Sequence, residues 1–205
     1  MMSQPSVAQT DLQVIPSLSD NDRRELLALA RRVICDSLTG EAEPLDLITG
    51  LPPRLQEPGA SFVSLRRGGQ PLGTVGSLDP SGAIGQDVAD HAISAAFEDP
   101  RIPPITADDL DGLAVQVSVL GPLVPTGATS HQELCRVLCP GVDGLVVELD
   151  SRRVTFLPAV WKDVRDVDDF LALLWRKAGI AAGTWPSGLR TWTYRAETLS
   201  DQSPG

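Results

Sequence analysis

Little in this 205-residue chain invites a polyanion, a membrane or a familiar catalytic reaction. Cysteine is scarce: Cys35, Cys135 and Cys139 form an odd set without a CxxC pair, which points away from a disulfide framework and toward a reducing, cytoplasmic setting. Positive charge is also short. Lys and Arg number 17 against 27 Asp and Glu, a net charge of −10, and no cluster of five basic residues offsets it. Neutralisation of phosphates by Lys and Arg supplies most nonspecific nucleic-acid affinity, so nucleic acid is not an expected partner. The same balance disfavours an anionic membrane surface. The first 16 residues carry no basic segment followed by an apolar run, so no signal peptide is expected there. No apolar run approaches the roughly 20 residues of a membrane span. GxSxG, HExxH, GxGxxG and the Walker A pattern are all missing, as are internal repeats and low-complexity tracts. No cofactor or metal is expected on this pattern.

What is present suits a globular fold. Hydrophobic residues make up 42% of the chain, enough for a real core. The organisation expected is one domain over 17–198, between a flexible N-terminal tail (1–16) and a polar C-terminal tail (199–205). Ser19 and Asp22 have the spacing of a capping box, and Leu26, Leu27, Ala30, Val33, Ile34 and Leu38 fall on one helical stripe that Gly40 ends. Cys35 lies beside that stripe as a small packed side chain. A Pro-rich, acidic connection follows to Gly59. Ser61–Ser77, SFVSLRRGGQPLGTVGS, reads as a hairpin turning at Gly68-Gly69, its second strand broken by Gly73 and Gly76. Residues 82–98 read as a helix apolar on two sides, with Ile84, Val88, His91 and Ala95 on one and Ile93 and Phe97 on the other. Thr106 and Asp109 cap a short turn.

Leu113–Leu120 alternates as a strand, Pro122–Ser130 is a loop, and His131–Leu138 is helical. Gly144–Leu149 and Arg152–Phe156 form a second hairpin around Asp150-Ser151. Helices are expected from Pro158 to about Val164 and from Val167 to Gly179, then a terminal strand from Arg190 to Ala196. Helices and hairpins without a βαβ rhythm indicate α+β with mainly antiparallel pairing.

Seven segments, in order and spacing, resemble the AMMECR domain family, whose prokaryotic members are called AmmeMemoRadiSam system protein A. They are Pro52–Pro80, AAFEDPRIPPIT, VQVSVL, PGVDGLVVE, RRVTFLPAVW, RKAGI and the final TYRAE, spanning about Leu18 to Glu197. The resemblance implies an antiparallel sheet flanked by helices, in a larger and a smaller subdomain with a cleft between. It brings no established activity. It suggests an accessory protein, with Memo-type and radical SAM proteins as partners. One departure matters. The family's LRGCIG signature reads Leu72, Gly73, Thr74, Val75 and Gly76 after Pro71, so Arg is replaced by Leu72 and Cys by Thr74. Thr74 cannot act as a thiolate nucleophile or redox group.

The candidate ligand-binding residues are Gly73, Thr74, Gly76, Ser77, His91, Arg101 and Trp161. The glycine-broken strand could offer N–H groups to an anion or carbonyl, or it could be a bend or bulge beside a helix. Asp87 precedes His91 by one helical turn, a spacing that can hold an imidazole for acid–base work or satisfy a core histidine. Arg101, on a stiff Pro-rich loop, either pairs with Asp99 or another carboxylate or offers a fork to an anionic ligand. Trp161 is a core aromatic or a cleft wall. His131, Cys135 and Cys139 share a helix face at four-residue spacing, but three ligands in a line rarely wrap one ion, so packing or a free thiol is the reading preferred. The functional expectation is a non-catalytic ligand- or partner-binding protein that uses the cleft. The alternative is an enzyme acting near Thr74, His91 and Arg101.

Overall fold

The computed structural model describes residues 18–40 and 49–201, and the expected tail over 1–16 lies outside them. The described chain divides into two compact units, one built from 18–120 and 197–201, the other from 121–196. Each has its own sheet and its own core.

In the first unit, α1 (Asp20–Thr39) starts at the anticipated capping box: the Ser19 hydroxyl accepts from the Asp22 N–H at 3.2 Å, and the Asp22 carboxylate accepts from the Ser19 N–H at 2.9 Å. Such a cap contributes about 1 kcal/mol. Gly40, at φ 75°, closes the helix in the left-handed region. Its apolar stripe buries Leu26, Leu29, Ala30, Val33 and Ile34. Pro53–Gln56 is a 3-10 turn, and the two-residue strands β1 (Pro58–Gly59) and β4 (Gly82–Ala83) pair with each other.

The main sheet of this unit has β2 (Ser61–Arg67) antiparallel to both β3 (Gln70–Gly76) and β5 (Leu113–Leu120). Gly68 and Gly69 turn the β2–β3 hairpin with φ of 55° and 83°, the two positive angles a tight two-residue turn needs. Val63 and Leu65 point into the core together with Val115 and Val117, all fully buried. Helix α2 (Ile84–Phe97) packs on this face with α1, so it is covered on two sides, as its two apolar flanks require.

The fourth strand was not legible in the sequence. β9 (Arg190–Tyr194) ends earlier than expected, and a separate strand, β10 (Ala196–Ser200), joins the first unit's sheet beside β5. It runs two residues into the stretch expected to be a polar tail. Leu199 is buried in the core, and Asp201 anchors the strand end by accepting from the Val115 N–H at 2.9 Å. Residues 202–205 of that tail lie outside the described residues.

The second unit orders its sheet as β6 (Val124–Pro125), β9, β7 (Gly144–Leu149) and β8 (Arg152–Phe156), all antiparallel. β6 is a two-residue strand inside the segment expected to be a loop. The β7–β8 hairpin falls where the alternation placed it. Helices α3 (His131–Val137) and α4 (Val167–Ala178) and the 3-10 segment Pro158–Asp163 cover the sheet. Its core joins Leu145, Val147, Trp161, Phe170, Leu174 and Trp175. Burying each such side chain contributes roughly 1.5–3 kcal/mol. The protein is α+β, and no helix among the described residues is long and apolar enough to cross a membrane.

Candidate functional site

The polar chemistry of the first unit gathers where β3 and α2 meet, around two buried carboxylates. The first is Asp87, whose side chain is 2% exposed. The Ser61 hydroxyl donates to its Oδ2 at 2.7 Å, the Ser77 hydroxyl to its Oδ1 at 3.3 Å, and His91 Nδ1 lies 3.2 Å from Oδ2. The Ser61 hydroxyl also lies 3.4 Å from Nδ1. Since a carboxylate can only accept, a hydrogen bond from the ring to Asp87 requires the proton on Nδ1 and leaves the lone pair on Nε2. The His91 side chain is 16% exposed, so it is half-buried, with Nδ1 beside Asp87 and Nε2 without a hydrogen-bond partner among the described residues.

The second carboxylate is Asp99. Its Oδ1 accepts from the Arg101 backbone N–H at 3.1 Å and Nε at 2.8 Å, and its Oδ2 accepts from the Arg101 guanidinium at 2.6 Å and the Thr74 N–H at 2.9 Å. Arg101 also donates to the Thr74 carbonyl at 2.8 Å. The guanidinium, helped by these N–H groups, holds the Asp99 carboxyl well below the usual carboxylate range against the opposing effect of burial. Asp99 in turn raises Arg101. The Thr74 hydroxyl donates to Ser64 Oγ at 3.1 Å. This clamp ties the α2–loop junction to the edge strand and leaves Asp99 fully engaged.

Both glycines of the strand have packing reasons. Gly73 takes φ 150°, and a Cβ there would stand 1.9 Å from the Ala95 carbonyl oxygen of α2. A bulge at this point, where Leu65 faces Gly73 but Arg66 faces Pro71, lets the helix approach. At Gly76 the Phe62 ring occupies the space of a Cβ, at 2.3 Å.

Of the seven candidate residues, the structure joins Ser77 with His91 through Asp87, and Thr74 with Arg101 through Asp99. Gly73 and Gly76 shape the backbone between them. Trp161 belongs to the core of the other unit: it stacks on Phe170 at 3.9 Å and donates from Nε1 to the Asp143 carbonyl at 2.7 Å. The clustering residue that sequence reasoning missed is Ser61, fully buried 26 positions from Asp87. No local spacing reveals it.

Chemically, the Asp87–His91 pair can fix one tautomer and present Nε2 as an acceptor. Ser61 is no nucleophile, because its hydroxyl is buried and committed to Asp87. In the second unit, Cys135 is likewise not an activated thiolate: burial, then the neighbouring Asp168 carboxylate, pushes its thiol up.

The AMMECR1 family profile matches residues 27–199, from the first helix to the last strand. The chain belongs to the AMMECR1 family. A protein of Thermofilum pendens is 32% identical over 199 residues, covering 91% of this chain and 93% of its own length. One of Methanothermobacter thermautotrophicus is 35% identical over 164 residues, covering 80% and 85%. The crystal structure of an uncharacterized protein from Pyrococcus horikoshii is similar, with a TM-score of 0.81 and 30% identity over 91% of this chain and 95% of that one. For an AMMECR1 protein the α+β architecture described above is therefore shared with a solved relative.

Proposed function

We propose that this AMMECR1-family protein is a binding accessory protein rather than an enzyme, and that His91 is the contact group of its ligand- or partner-binding surface. The observation that carries this reading is the asymmetry of the polar groups around β3 and α2. Ser61, Ser77, Asp87, Asp99 and Arg101 satisfy one another, whereas His91 Nε2 has no partner among the described residues. A fixed imidazole acceptor of this kind recognises a hydroxyl or N–H donor on a small molecule or a peptide segment. Memo-type and radical SAM proteins are the partners suggested by the family resemblance.

The second reading, an enzyme using His91 as a base, is favoured by one observation. A buried carboxylate on Nδ1 is the arrangement that orients a general base.

Capture of small molecules and partners by the wild type and by His91→Ala, followed by mass spectrometry, tests the binding reading. Retention of a specific molecule or protein by the wild type alone supports it. Equal retention by both, or turnover of the captured molecule by the wild type alone, sinks it.

A further inference from the structure

The second unit holds a cluster that this reading does not use. His131 opens α3, Cys135 follows one turn later on the same face, and Asp168 reaches them from the first turn of α4. His131 Nε2 lies 3.0 Å from Asp168 Oδ1, Cys135 Sγ lies 3.9 Å from that same oxygen, and the three atoms fall within 4.8 Å of one another. Sequence spacing pointed to Cys139 as the third member of the face. Cys139 instead sits past the helix end, exposed, and takes no part in the cluster.

We propose that His131, Cys135 and Asp168 form a three-ligand site for a borderline-soft divalent cation of the Zn2+ class, with a fourth position open to water or an exogenous ligand. Three observations point this way. First, the donors converge on one point instead of forming a relay. In a Cys–His–Asp nucleophilic triad the imidazole stands between thiol and carboxylate, whereas here the carboxylate oxygen contacts both. Second, the separations suit an ion. Bond lengths of about 2.0–2.3 Å in tetrahedral geometry place N, O and S ligand atoms about 3.4–3.6 Å apart, so a few tenths of an ångström between His131 and Asp168 and a side-chain movement of about 1 Å by Cys135 complete the set. Third, the carboxylate and ring are available and aligned. Arg165 is engaged by Asp169, so no Lys or Arg side chain pairs with Asp168 among the described residues. The buried Trp175 meets the His131 ring edge-on at 6.3 Å and restricts its orientation.

The mixed S, N and O donor set selects among ions. A thiolate and an imidazole suit Zn2+ or its spectroscopic surrogate Co2+, and disfavour Mg2+ and Ca2+, which take oxygen ligands. Three protein ligands match metal sites that keep a position open, rather than closed four-ligand structural sites. Binding releases the thiol proton to solvent and breaks the His131–Asp168 hydrogen bond. It also requires the ring proton to move from Nε2 to Nδ1, which frees the Nε2 lone pair for the ion.

The test is Co2+ titration of the full chain under reducing conditions, followed by competition with Zn2+. The expected result is one equivalent of bound Co2+ with an intense thiolate-to-metal charge-transfer band and tetrahedral ligand-field bands, displaced by Zn2+. Cys135→Ser should abolish the charge-transfer band. Asp168→Asn should weaken binding by more than the ~10–100-fold that loss of an outer-shell partner costs. Cys139→Ser and Cys35→Ser should leave the spectrum unchanged, and circular dichroism confirms that each variant is folded. Absence of stoichiometric binding by the wild type, a charge-transfer band that survives Cys135→Ser, or one lost in Cys139→Ser would overturn the assignment.

Discussion

Replacing Asp99 by Asn changes one atom of a four-bond clamp and should be costly. Whichever way the amide is turned, its NH2 group faces donors: Thr74 N–H and the guanidinium on one side, or Arg101 N–H and Nε on the other. Two of the four hydrogen bonds are lost and the charge that holds Arg101 is gone. Removing hydrogen bonds to a charged group costs about 1.5–3 kcal/mol, and breaking a buried ion pair about 3–5 kcal/mol. Arg101 is 64% exposed and regains water, which keeps the loss to about 2–3 kcal/mol. For a chain of this size that lowers the melting temperature by roughly 4–12 °C. All four tryptophans lie within 121–196, so far-ultraviolet circular dichroism, which sees α1 and α2, is the suitable probe.

The pH dependence follows from the sign of the shift. The folded-state carboxyl titrates below its usual value of 3.8, so its stabilisation is complete well above that value and is lost as pH falls toward the folded-state one. The difference between wild type and Asp99→Asn should be flat from pH 7 to about 5 and smaller by about 1 kcal/mol at pH 3. A variant as stable as the wild type at pH 7, or a difference that grows as the pH falls, would refute the clamp.

Gly73→Ala sets a Cβ against the Ala95 carbonyl at a backbone angle that disfavours side chains, so it should destabilise by more than about 3 kcal/mol or abolish soluble expression. A melting temperature within about 2 °C of the wild type would show that α2 does not approach the strand so closely. Tyr194 is the chain's one tyrosine and is fully buried, its hydroxyl 2.8 Å from Thr155 Oγ1; burial raises its phenol above the ordinary value. Alkaline absorbance titration should therefore show no phenolate until the unit unfolds, and a reversible transition near the ordinary tyrosine pKa would contradict that.

The elements that periodicity governs were legible in the sequence. The capping box at Ser19, the Leu113–Leu120 alternation and the Asp150-Ser151 hairpin all specify local geometry through residues close in the chain. The second half of the terminal strand was not, because AETLS has a single buried apolar residue and owes its place to pairing with β5, some 80 positions away. The site divides the same way. Asp87 and His91, one turn apart, were readable as a pair. Ser61 and Asp168 were invisible, since each joins its cluster across 26 to 37 residues of intervening chain. The glycines carried a real signal with two physical meanings. Only the position of Ala95 and Phe62 decides between a ligand's approach and a neighbour's.

The claim that His91 is pinned at Nδ1, with no partner at Nε2 among the described residues, is tested most directly by nitrogen NMR of the imidazole rings. With two histidines in the chain, His131 serves as the internal comparison. The account predicts that neutral His91 carries its proton on Nδ1, and that Asp87→Asn shifts the ring toward the Nε2–H form. A wild-type His91 protonated on Nε2 would contradict it.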